Sequence, residues 1–189
     1  MGLHGFWFPD SIPFFPAFLI RNQISRKQLE IPRLRSGLQR GMFNVVLIEP
    51  EIPPNTGNIG RLCLATRSRL HLVKPLGFSL EDRQLKRAGL DYWDEVNVRL
   101  WDSFAQLQSK QKSNARYFFL TTKAQRAYYD VKFHEGDFLV FGRETKGLAE
   151  NLLAKNIDNC VTIPMHGTRS LNLATAVAIV LFEAVRQQA

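Results

Sequence analysis

From residue 42 onward, short apolar runs alternate with stretches whose apolar residues recur every three or four positions. The runs FNVVLIE (43–49), RLHLVKP (69–75), VNVRLW (96–101), RYFFLTT (116–122), DFLVFG (137–142) and VTIPM (161–165) are rich in β-branched and aromatic residues and predict strands. Between them, TGNIGRLCLAT (56–66) predicts a helix opened by Asn55 or Thr56 as N-cap, and shorter helices are expected at 81–88, from 103 with Asp102 as N-cap, and at 148–155. In SLNLATAVAIVLFEAVRQQ, Ala174, Val177, Ala178, Leu181, Phe182 and Val185 follow helical spacing, which predicts a packed final helix with a Ser N-cap. Strands separated by helices imply an α/β domain with a mostly parallel sheet covered by helices on both faces.

Residues 1–41 break this pattern. Their apolar stretch FWFPDSIPFFPAFLI is interrupted by Pro9, Pro13 and Pro16, so neither helical nor strand periodicity survives. No Lys or Arg precedes that stretch and no A-x-A site follows it, which argues against a secretory signal, and its prolines argue against a membrane span. The expectation is an unstructured or poorly ordered leader, with an extension from an upstream start favoured over an organelle transit peptide, followed by one domain over 42–189.

Charge adds a partner class. The 189 residues carry 25 Lys and Arg against 17 Asp and Glu, a formal +8, and an excess of that size suits a polyanion. Half of it lies in the leader, where Arg21, Arg26, Lys27, Arg33, Arg35 and Arg40 face only Asp10 and Glu30. Cys63 and Cys160 form no CxxC, and the four histidines show no metal-ligand spacing, so no metal and a reducing, cytoplasmic setting are expected.

Three strand ends carry loops rich in glycine and polar residues: EPEIPPNTGNIGRL after the first strand, RETKG after LVFG, and the segment with Gly167 before Ser170 and Asn172. Each alone is ordinary turn chemistry. Three at the carboxyl ends of strands favour a shared site at one edge of a parallel sheet. Neither G-x-G-x-x-G nor a Walker P-loop is present.

The segments NTGNIGRLC, FGRETKGL and IPM...RSLNLATAVAIVLFEA resemble the three ordered motifs of the SPOUT class of RNA methyltransferases. With EPEIPPNTGN, PLGF, LKRAGLDYW and LTTK, the chain from Met42 to about Gln188 resembles the TrmL family, which methylates the ribose 2'-hydroxyl at the tRNA wobble position, C34 or U34 in the anticodon stem-loop. The resemblance implies a C-terminal trefoil knot, S-adenosyl-L-methionine as cofactor and a homodimer that completes the site. It places the cofactor among Leu120, Thr121, Gly142, Glu144, Gly147, Ile163, Met165, Ser170, Leu171 and Asn172. The chain departs from the pattern at Arg67, where many relatives have Gly, at Arg143, where Pro is common, and at Phe182, where some have Tyr.

A ribose hydroxyl is a poor acid, so its attack on a sulfonium methyl needs a base or a positive group beside the developing alkoxide. Arg61 is the candidate, with Asn55, Asn58 and Ser170 around it. A guanidinium holds its charge in proteins, which favours a charge-stabilising role over proton removal. The plainer alternative pairs Arg61 with Glu49 or Glu51 to hold the turn, and makes Asn55 and Asn58 a cap and an Asx turn. Lys86 and Arg87, with Tyr92 and Trp93 nearby, join cations to rings able to stack a base, and Arg169 is a further phosphate candidate; the alternative for 86–93 is a solvated charged face over core aromatics. Two rival functions remain: a methyltransferase of the same class acting on another RNA such as ribosomal RNA, and a non-catalytic RNA-binding module.

Overall fold

The computed structural model describes residues 43–80 and 90–189. Six strands form one sheet: β1 (Asn44–Ile48), β2 (Arg69–Val73), β3 (Val98–Trp101), β4 (Tyr117–Leu120), β5 (Phe138–Phe141) and β6 (Cys160–Val161). Their order is β3-β2-β1-β5-β4-β6, and every strand pair is parallel. All six predicted strands are present, though the last is confined to two residues because Pro164 follows closely and the chain leaves the sheet after Val161.

The helices are α1 (Pro53–Ala65), α2 (Phe104–Ser109), α3 (Glu150–Lys155) and α4 (Leu173–Arg186). The helix expected at 81–88 lies outside the described residues. One face of the sheet packs Val45, Leu47, Leu70, Leu72, Leu139 and Phe141 against Ile59 and Cys63 of α1 and Val177, Val180 and Leu181 of α4. The other packs Val46, Val73, Phe119, Phe138 and Val140 with Leu107 of α2 and, at its margin, Leu152 and Leu153 of α3. The near-continuous apolar runs of β1 and β5 follow from this double covering. No helix among the described residues is long and apolar enough to cross a membrane.

Three expected caps are corrected. Helix α1 begins at Pro53, with Ile52 as N-cap and no capping side chain, because two prolines preset the first helical turn where their missing N–H groups cost nothing. Asn55 and Thr56 are therefore inside the helix and buried. Helix α2 is capped by Ser103, whose Oγ accepts from the Gln106 amide at 3.1 Å, while Asp102 is drawn to Lys74 at 2.9 Å. Helix α4 is capped by Asn172, whose Oδ1 accepts from Ala174 and Thr175, so Ser170 stays in the preceding loop.

The chain runs β1, β2, β3 toward one edge, then places β5 on the other side of β1, with β4 and β6 beyond it. Order therefore reverses between β1 and β5, where parallel sheets open a crevice at their carboxyl ends.

Candidate functional site at the strand carboxyl ends

Four neighbouring strands, β1, β5, β4 and β6, send their carboxyl-end loops to one place. Together these loops and the start of α4 line a cleft of about 570 Å³. Leu120, Thr121, Gly142, Glu144, Gly147, Ile163, Met165, Ser170, Leu171 and Asn172 all stand on its wall, joined by Ile52 and Asn55. Half-buried Leu120, Ile163, Met165 and Leu171 give it apolar surfaces, and the loops supply backbone polar groups.

The wall is held by a carboxylate. Glu144 accepts from the amides of Glu51 at 2.8 Å and Ile52 at 3.2 Å, and from the Asn55 side-chain amide at 3.1 Å. It thereby takes the place of the missing N-cap side chain, since those amides precede the first turn of α1 and favour negative charge. Asn55 also accepts from the Asn172 side-chain amide at 2.9 Å, which ties the mouth of α4 to α1. Asn55 is thus neither a cap nor an Asx turn; it is a bridge between two loops of the cleft.

A second clasp runs the opposite way. Glu51 accepts from the Thr145 amide at 3.1 Å and from its hydroxyl at 2.8 Å. Glu49 pairs with Arg143, so both acids of the turn are engaged by the 143–145 loop. Glu49 also has φ of 53°, a left-handed turn by which the chain leaves β1 for α1. Glu51 was legible as an acid of the turn but its partner Thr145 was not, because their contact spans 94 positions.

The two glycines of this loop do different things. A Cβ on Gly142 would fall on the backbone of Gly147 and Leu148, where Arg143 and Gly147 exchange backbone hydrogen bonds across a tight turn. The close approach that Gly142 permits is thus made to the chain's own backbone. Gly147 is needed for its φ of 67°.

Arg61 and Asn58 lie on the exposed face of α1, and neither lines the cleft. Arg169 is exposed in the loop before α4, also off the cleft wall. Lys86 and Arg87 lie outside the described residues, as does the side chain of Tyr92. Trp93 is half-buried against Gly60 of α1, a core contact. Among the described residues no group of three or more His, Cys, Asp or Glu is placed to hold a metal. Cys63 and Cys160 are free and buried, and burial pushes both thiols up, so neither is poised as a nucleophile.

Comparison with known proteins gives a consistent picture. Residues 42–182 match the SpoU rRNA Methylase family. A tRNA (cytidine(34)-2'-O)-methyltransferase of Burkholderia pseudomallei is 50% identical over 151 residues, covering 77% of this chain and 96% of that protein. Its counterpart from Saccharophagus degradans is 49% identical over 151 residues, with the same coverage. A structure solved to explain 2-OH methylation of C/U34 on tRNA superposes with a TM-score of 0.75 at 46% identity, over 78% of this chain and 97% of that one.

Proposed function

The chain belongs to the SpoU rRNA methylase family, and on that premise we propose that it methylates the ribose 2'-hydroxyl of nucleotide 34, C or U, in the anticodon stem-loop of tRNA, using S-adenosyl-L-methionine. The observation that carries this reading is the convergence of four carboxyl-end loops on one cleft, stitched to the start of α1 by Glu144, Asn55 and Asn172. Relatives named for the same position of tRNA, at 49–50% identity over nearly their full length, support the choice of RNA.

The cleft fits the cofactor in size and lining. Its volume is in the range of small-molecule sites, and Leu120, Ile163, Met165 and Leu171 offer apolar flanks for an adenine. Thr121, Gly142, Gly147 and Ser170 bring polar groups for its ribose and amino-acid ends. When bound there, the cofactor supplies an electrophilic methyl group on a sulfonium. Arg61 holds a phosphate beside the target ribose and stabilises negative charge on the 2'-oxygen, with Asn58 next to it on α1. Glu144 acts by positioning, since its carboxylate oxygens hold the turn that leads into α1.

Because Arg61 and Asn58 stand on an exposed strip outside the cleft of their own protomer, a homodimer completes the site in this proposal. On α4, half-buried Ala178 and Ile179 and exposed Phe182 form an outward apolar stripe suited to a second copy. A trefoil knot is part of the same proposal. In its support, the segment after β4 touches the C-terminal part of the chain at two places: Ala127 bridges to Thr162, and Gln187 and Gln188 at the end of α4 donate to the carbonyls of Val131 and Phe133.

The test is methyl transfer from labelled cofactor to tRNA and to ribosomal RNA separately, followed by nucleoside digestion. Label in the 2'-O-methylated nucleotide 34 of tRNA is expected. Label in ribosomal RNA alone, or in neither RNA, defeats the proposal.

A further inference from the structure

On the half of the sheet away from the cleft, two arginines share one face. Parallel register sets His71 of β2 beside Arg99 of β3, and alternation along the strands puts Arg69, His71, Arg99 and Trp101 on the same side. Arg99 is exposed on an edge strand, and Arg69 is half-buried with its Nε buried and without an acceptor. Neither arginine side chain joins an ion pair or hydrogen bond among the described residues.

Among the described residues no acid pairs with either guanidinium. The imidazole between the two is held neutral: Trp101 Nε1–H donates to His71 Nδ1 at 2.9 Å, which leaves Nε2 to donate to Asn44 Oδ1 at 3.1 Å. Burial first, and then the charge of Arg99, lowers the pKa of Arg69, and both arginines help to keep the imidazole from charging. Like charges on neighbouring strands cost stability, and a buried donor without an acceptor adds to the cost. A guanidinium pair of this kind gains most from an anion with several oxygens, because each planar fork can grip two of them.

We propose that Arg69 and Arg99 form a phosphate-binding site for the RNA backbone, apart from the methyl-transfer cleft. The cleft lies at the carboxyl ends of β1, β4, β5 and β6, whereas the arginines lie on β2 and β3, so one ligand must be extended to engage both. A folded RNA is of that size and carries a phosphate at every nucleotide. The site rests on the reading of the protein as an RNA methyltransferase and adds a contact that anchors substrate away from the reacting nucleotide.

The experiment uses the full chain and an unmodified tRNA transcript, with affinity measured by fluorescence anisotropy between about 25 and 200 mM KCl. Arg99→Gln changes an exposed side chain and should lower the slope of log affinity against log salt by about one, with weakening of several-fold at low salt. Arg69→Gln should do the same, and binding of S-adenosylhomocysteine should not change in either. Unchanged slopes and affinities in both variants overturn the proposal. Inorganic phosphate at matched ionic strength distinguishes the other source of the ligand. If it raises the melting temperature of the wild type but not of Arg99→Gln while the tRNA slopes stay equal, the site serves a free anion and the proposal falls. A wild type that binds tRNA with an Arg99-dependent slope yet transfers no methyl group would sink the methyltransferase reading and leave the site standing.

Discussion

Arg61 stands on the exposed strip of α1, past a turn that Glu144 and Thr145 already hold, which separates its role from the fold of that turn. Arg61→Ala should lower methyl transfer by roughly a hundredfold or more, the scale for loss of one preorganised donor, while cofactor affinity by calorimetry stays unchanged. Near-normal turnover in a stable variant would remove Arg61 from the chemistry. His71 carries a prediction of a different kind. Burial, then the charges of Arg69 and Arg99, lower its pKa from 6.5 to about 3, so the folded protein binds a proton there more weakly than the unfolded chain. The stability this group contributes is complete above pH 6.5 and is lost as pH falls from 6.5 toward 3, by at most about 1.4 kcal/mol per pH unit. His71→Phe should flatten that part of the acid limb in urea titrations, at a cost near neutral pH because Asn44 and Trp101 lose their partner. An equally steep acid limb in the variant would assign it to other groups.

At the scale of elements, the loop after β5 is set by backbone contact. Gly142→Ala puts a methyl group against Gly147 and Leu148, so the 143–147 turn must move and carry Glu144 away from the start of α1. The expected result is a loss of about 2 kcal/mol or more in urea denaturation together with weaker cofactor binding, before any side chain enters the cleft. Wild-type stability with lost binding would instead mean that Gly142 faces the ligand directly. The end of α1 runs against the usual residue preference. Arg67 takes φ of 54° just past the helix, where the Ser68 amide reaches the Cys63 carbonyl at 2.8 Å. Arg67→Gly should raise stability by about 1 kcal/mol in thermal unfolding, since glycine adopts that conformation without the Cβ penalty. A lower melting temperature would show that the Arg67 side chain contributes more than its backbone costs.

At the scale of the whole molecule, the proposed dimer face on α4 gives a separable test. Light scattering at micromolar concentration should report a dimer, and Phe182→Glu, at a residue 48% exposed, should yield a folded monomer with methyl transfer reduced at least tenfold. A chain begun at Met42 should keep dimer and activity, because the family match starts there; loss of either would give residues 1–41 a role. Much of the architecture was legible from local signals. Six apolar runs and the spacing of the last helix set strands and helices because period and turn composition act over a few residues. The motif segments also named ten residues that fall on one cleft wall. Cap positions were misread where local rules competed: Asn55 and Thr56 look like caps until Pro53 and Pro54 start the helix earlier. What tertiary structure alone decided is the pairing of β1 with β5. That adjacency brings Glu51 and Glu144, 93 positions apart, into the reciprocal clasp that supports the site. Likewise, the pairing of β2 with β3 sets Arg99 opposite His71, on the same face of the sheet as Arg69. Such contacts come from burying both faces of a parallel sheet, and no short stretch of sequence encodes which distant loop will meet it.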